Sequence, residues 1–328
     1  MDNATKHQHF ISQVEQRLNA SNPAANPENQ RIYEFKVVDR EQHVLELTDV
    51  RGKSIAKTLS MFDLFSFDVD KNSDTRANFE AVFYRYESRL LASTDRLLQA
   101  HSARSASVSQ EVFDIFVSKM VNFVRNPYSV VKMLNTFGAL ANIHPTNPAL
   151  YASYERVLRG RKPQQAYLCR QLGISDEQYE SWLRVMLMLL VPLAEGTSTL
   201  FEQSLQSLFT RTDQAVAIYV HRYLTERCLL SDRGFSSPIP EDTHLVFDFN
   251  LRFDAFIRIA FMDVQAVRGQ PVPDWVQRAM IGRPKPVAIY YCTDDFAALD
   301  SFHRRVVEQC CERVFCSGAT PYGLTVRL

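Results

Sequence analysis

The chain is 328 residues long, 46% hydrophobic and 23% charged, and its 37 Lys and Arg balance 37 Asp and Glu. This composition excludes a disordered chain and argues against a dedicated duplex-DNA binder, which needs a basic surface to displace counterions. With 10 glycines and neither G-x-G-x-x-G nor G-x-x-x-x-G-K-[ST], the two commonest nucleotide loops are excluded as well.

The opening segment MDNATKHQHF is polar, without the apolar core of a secretory signal. Asn19 to Gln30 is rich in Asn, Pro and Ala and reads as a loop. Ile32 to Val38 and His43 to Leu47 alternate apolar and polar side chains around DREQ, which predicts an antiparallel strand pair. Glu34 and Lys36 then fall on its wet face. Phe62 to Phe67 is a short aromatic stretch expected to pack on that pair, and Asp70 to Asp74 reads as a loop. The spacing of Phe79, Val82, Phe83, Tyr86 and Leu90 predicts a helix from about Arg76 to Leu98.

The middle of the chain reads as helical. Phe113, Phe116, Val117, Met120, Val121 and Val124 form one apolar stripe. Ser175-Asp-Glu-Gln178 is a capping box, and the helix it opens should kink or end at Pro192. The run Val185 to Ala194 is about half the roughly 18 residues of a membrane span, so it reads as core. Helical patterning resumes over Leu200 to Phe209 and Ala215 to Cys228. Beyond the turn-rich segments Ser231 to Gly234 and Ser237 to Pro240, His244 to Phe249, Ala255 to Met262 and Pro286 to Cys292 read as strands. Asp294 to Arg313 reads as a helix and Val314 to Cys316 as a last short strand.

The fold class expected is α+β, mainly helical, with one small mixed sheet formed by the N- and C-terminal regions. Residues 1–98 form an N-terminal α/β segment, 99–228 a helical region, and 229–328 an α/β segment that completes the sheet in one compact unit. Six cysteines (169, 228, 292, 310, 311 and 316) form no C-x-x-C, which fits free thiols in a cytoplasm. Cys310 and Cys311 diverge by about 100° on a helix, so a zinc site there is disfavoured.

Several residues invite a chemical reading. His7 and His9 share one face of an extended segment, which suits metal ligation or acid/base work; a solvated terminus is the plain alternative. Asp232, in Ser231-Asp-Arg-Gly234, stands at the end of the apolar stretch Cys228 to Leu230, where a carboxylate can face a cleft; ordinary turn chemistry is the competing explanation. Glu34-Phe-Lys36 has the E-x-K spacing of metal-dependent nucleases but lacks a preceding acid on a strand. Arg156, Arg159, Arg161 and Lys162 form a basic cluster that could touch phosphates, or simply a solvated loop.

These residues carry a resemblance. His7-Gln-His9-Phe-Ile-Ser-Gln13, Asn78-Phe-Glu80 with Tyr86-Glu87, Ser231-Asp-Arg-Gly234, and the ending Asp300-Ser-Phe-His303 to Val314-Phe-Cys-Ser317 resemble a large bacterial family of unknown function. Its members open with a His-His-aromatic-aliphatic-Pro-basic segment and carry a late Ser-Asp-x-Pro turn. The resemblance covers roughly the first 95 and last 100 residues; Ser12 and Gly234 stand where the family has Pro. It implies an accessory or effector protein of bacterial mobile and defence loci.

On these grounds the expected function is a cytoplasmic effector hydrolase acting on nucleic acid or a nucleotide. His9, Asp232, Glu80 and Glu87 would assemble its site, His9 as base or ligand and the carboxylates on a divalent metal. The rival is a non-catalytic sensor whose helical middle engages a protein partner. Neither reading involves a membrane.

Overall fold

The computed structural model describes residues 1–71, 75–100, 108–211, 213–238, 244–263 and 287–327. In chain order the strands are β1 (His7–His9), β2 (Arg31–Asp39), β3 (Val44–Leu47), β4 (Lys53–Ser54), β5 (Ser60–Phe62), β6 (Asp68–Val69), β7 (Arg76–Ala77), β8 (Gln214–Arg222), β9 (Leu230–Ser231), β10 (His244–Arg252), β11 (Ala255–Asp263), β12 (Ala288–Thr293), β13 (Arg313–Cys316) and β14 (Thr325–Arg327). The helices are α1 (Gln13–Leu18), α2 (Glu80–Ala100), α3 (Ser109–Arg125), α4 (Val130–Phe137), α5 (Pro148–Arg159), α6 (Gln165–Leu172), α7 (Asp176–Leu190), α8 (Leu200–Thr210) and α9 (Phe296–Gln309).

Two compact units result. The first comprises Met1–Ser12, Lys57–Leu90 and Phe116–Ser204; the second comprises Gln13–Ala56, Leu91–Ile115 and Leu205–Leu328.

The first unit is organised around α7. From Val185 to Leu190 every side chain of this helix is buried, as its all-round apolar sequence requires. Helices α4, α5 and α6 supply much of the enclosure. The start of α7 is fixed by a complete capping box: Ser175 Oγ accepts from the Gln178 amide at 3.1 Å, and Gln178 Oε1 accepts from the Ser175 amide at 2.9 Å. Its end follows from Pro192, which drives Val191 to extended backbone (φ −103°, ψ 131°). Trp182 Nε1 donates to the Val124 carbonyl at 2.7 Å, so the largest core side chain satisfies its one polar atom. Phe65 packs at 5.0 Å from Phe83 and 5.7 Å from Trp182, tying the aromatic stretch to α2 and α7. Where α5 ends, a Cβ on Gly160 would lie 2.2 Å from the Phe67 carbonyl oxygen and 2.4 Å from that of Arg156, so only glycine admits this approach.

The second unit contains two sheets and a helix that serves both, with α1 and parts of α2, α3 and α8. One sheet has the order β14-β3-β2-β13-β9, with β4 also on β2; the other has the order β10-β11-β8-β12. In the latter, β12 runs parallel to β8 and the rest is antiparallel. Helix α9 shares one core with both. Leu299, Phe302, Val306 and Val307 pack with Phe35, Leu45, Leu47 and Val314 of the first sheet and with Phe256 of the second. Phe302 stacks on Phe256 at 4.3 Å and 6°.

The structure corrects the expected sheet. The fold is α+β, but among the described residues the strands form four sheets rather than one small sheet built from the chain ends. Two of these are two-stranded pairs, β1 with β5 and β6 with β7. The expected helix over Ala215 to Cys228 is instead strand β8. Its apolar residues occur on both faces because both are covered, and such a strand has no alternation to distinguish it from a buried helix. Helix α2 begins at Glu80, because Arg76 and Ala77 are used in β7. Glu34 is buried rather than wet, accepting from Thr48 Oγ1 at 3.0 Å and from Arg313. Residues 72–74 of the expected loop, 239–240 of the expected turn and 286 of the expected strand lie outside the described residues. Among the described residues, no helix is long and apolar enough to cross a membrane.

Candidate functional site

His9, Glu80 and Glu87 belong to the first unit and Asp232 to the second. In β1, His7 is exposed and meets Phe62 edge-on at 5.5 Å, while His9 is buried opposite Ser60. Gln8, pointing the other way, is fully buried and donates to Ser66 Oγ at 2.9 Å. The opening strand is thus locked by a glutamine that the motif reading passed over.

Glu80 and Glu87 stand two turns apart on α2 and face Arg125 of α3. Glu87 pairs directly with Arg125. The same guanidinium donates to Asn122 Oδ1 at 2.8 Å and covers the Phe83 ring at 5.0 Å. Glu80 is left differently. Its Oε1 is buried and has no hydrogen-bond partner among the described residues. Burial pushes this carboxyl up to about 7; Arg125 opposes the rise and the Glu87 charge adds to it.

Asp232 is committed to the backbone. Its Oδ1 accepts from the Cys311 amide at 2.7 Å, and its Oδ2 accepts from the amides of Glu312 at 2.7 Å and Arg313 at 2.8 Å. The carboxylate thereby ties down the turn between α9 and β13. Burial raises its pKa, against the pull of these three amides.

Three of the four residues of the basic cluster are paired. Arg156 reaches Asp2 at 2.8 Å and Asp68 at 3.0 Å, Arg159 reaches Glu155 at 2.8 Å, and Lys162 lies 4.0 Å from Glu180. Among the described residues, no three His, Cys, Asp or Glu side chains are grouped to hold a metal ion. All six cysteines are free, and burial pushes the Cys310 and Cys311 thiols up to about 12, which keeps them protonated.

Two further arrangements in the second unit carry charge inward. Asp248 is fully buried and takes Arg258 at 2.7 and 3.0 Å and Arg305 at 2.7 Å. His303, also buried, pairs its Nδ1 with the Tyr322 carbonyl at 2.9 Å, while its Nε2 accepts from the Leu229 amide at 3.3 Å. These contacts select the neutral ring with the proton on Nδ1, and burial pulls its pKa down to about 4.

A cleft of about 360 Å³ opens in the second unit, lined by Asp95, Leu98 and Gln99 of α2, Arg222 of β8 and Arg252 of β10. The cross-strand register sets its floor. Ala255 lies opposite Arg252 on one side and Arg222 on the other, so a single methyl separates two guanidinium stems. A bulge between Asn250 and Arg252 turns Arg252 into this row. Arg252 grips Asp254 with two hydrogen bonds, of 2.7 and 3.0 Å. Arg222 Nε is 3.5 Å from Asp254 and makes no hydrogen bond among the described residues. Sequence reasoning missed these five residues. They come from three distant stretches, and an arginine ending an apolar strand is an ordinary sight. Comparison with protein families, curated proteins and solved structures finds no match to this chain.

Proposed function

We propose that the chain is a binding module whose second unit holds a small anionic ligand between Arg222 and Arg252. One observation carries this reading: Arg222 Nε makes no hydrogen bond among the described residues, its side chain being held by the 3.5 Å ion pair to Asp254, and it lines a cleft of ligand size. A planar fork of donors in a half-dry cleft suits a carboxylate or phosphate oxygen pair. The test is thermal unfolding at low ionic strength with and without inorganic phosphate or acetate. Wild type gains stability by mass action, and Arg222→Ala abolishes the gain. Equal gains in wild type and Arg222→Ala would remove the cleft from the explanation.

A second reading keeps the hydrolase acting on nucleic acid or a nucleotide, with Glu80 as proton donor. The group titrates near neutrality and has an uncommitted oxygen, both of which suit general acid/base work. The family resemblance supports a bacterial, cytoplasmic setting in a defence complex with a protein partner. A Glu80→Gln variant that folds and retains full effector activity would end the hydrolase reading.

A further inference from the structure

The charges around the cleft restrict what it accepts. Asp254 is saturated by the two-pronged grip of Arg252, which cancels one positive charge. Two groups on the walls remain chemically open. Arg222 offers its terminal donors, being held among the described residues by the 3.5 Å ion pair to Asp254. Asp95, on α2, lies 3.9 Å from Arg252 Nη1, beyond hydrogen-bond reach, and its carboxylate accepts no hydrogen bond among the described residues. One wall therefore presents a cation and another an anion, each held by a long ion pair and not by a hydrogen bond among the described residues.

A bare polyanion fits this arrangement poorly, because the Asp95 charge repels it. A dipolar molecule satisfies both walls. Asp95, Leu98 and Gln99 lie at i, i+3 and i+4 on one face of α2, so an apolar contact and an amide continue the wall beyond the carboxylate. The cleft volume of about 360 Å³ leaves room for a side chain past the charged head.

We infer that the ligand is a zwitterion of the α-amino acid class, its carboxylate on the Arg222 fork and its ammonium on Asp95. This rests on the cleft reading proposed above and narrows it. Binding involves no bond-making step; it exchanges water for two charge-assisted hydrogen-bond sets.

The experiment is calorimetric titration of the full chain with the free α-amino acids one by one, with their N-acetyl derivatives, and with inorganic phosphate. N-acetylation keeps the carboxylate and removes the ammonium. At least one free amino acid should bind about tenfold more tightly than its N-acetyl form, the loss expected for one charge-assisted hydrogen-bond set. In Asp95→Asn that preference should shrink to about twofold, and phosphate should bind more tightly than to wild type because a repulsive charge is gone. Asp95 makes no hydrogen bond that folding needs, so this variant should melt as wild type does. If phosphate binds wild type while no amino acid does, or if N-acetyl forms bind as well as free ones, the zwitterion inference falls and the anion cleft stands. If nothing binds, phosphate included, the cleft reading falls with it.

Discussion

Burial pushes Glu80 in the first unit and His303 in the second toward their neutral forms, yet their surroundings finish the task differently. His303 has one partner for each ring nitrogen, so its neutral tautomer is fully used by the fold. Glu80 keeps a buried oxygen with no partner among the described residues, so its neutral form satisfies nothing in particular. The contrast separates a titratable group that holds a structure together from one that the structure merely tolerates. Burial and a displaced pKa are common to both; the hydrogen-bond inventory tells them apart.

The sharpest way to stress this contrast is at a buried carboxylate with two arginine partners. Asp248 is buried as an ion between two arginines, and Asp248→Ala strands both guanidiniums. Denaturant unfolding should show a loss of about 3–5 kcal/mol. A loss below about 1 kcal/mol would mean that the arginines reach water unaided.

Glu80 and His303 should tilt stability in opposite directions with pH. The Glu80 carboxyl titrates near 7 in the folded chain against an ordinary value of 4.5. The folded state therefore holds a proton that the unfolded state has released. Its contribution is complete below pH 4.5 and is lost as pH rises through 7, up to about 3 kcal/mol. Glu80→Gln should leave only the opposite slope of His303 in pH-dependent urea unfolding, so that stability rises with pH across this range. His303 titrates near 4 against an ordinary 6.5, so the unfolded state takes the proton first. Its contribution is complete above pH 6.5 and is lost as pH falls through 4, also by up to about 3 kcal/mol. His303→Gln should leave the Glu80 slope uncompensated, so that stability falls as pH rises from 4.5 to 7. A wild-type curve that is flat across this window, with the two variants sloping oppositely, is the expected signature. The smallest effect belongs to a surface contact: Ser175→Ala should cost about 1 kcal/mol at any pH, because the capping box involves no charge displaced by burial.

Local features were legible in the sequence. The capping box at Ser175, the stop before Pro192, the hairpin of β2 and β3 and the apolar runs of strands β10 and β11 all follow from residues within a few positions of one another. What could not be read depends on pairing across long separations. Strand β8 has buried apolar residues on both faces, and what buries them lies outside its own nine residues. Glu34 alternates like a wet residue, but Arg313 reaches it from 279 positions away. The cleft is harder still, because Asp95, Arg222 and Arg252 have nothing in common until α2, β8 and β10 are assembled. Asp232 was noticed for a turn that resembles a family motif; its three amide donors, 79 to 81 residues later, give it a tethering role in the fold.

The placement of α9 has a bearing on biosynthesis. Strand β2, made within the first forty residues, lies between β3 and β13, and β13 leaves the ribosome only after α9 has been translated. Until then β2 presents an open edge and Phe35 lacks the helix that shields it. The nascent chain must carry that sticky surface through most of its synthesis, so slowing elongation before residue 296 should raise aggregation, whereas slowing it afterwards should not.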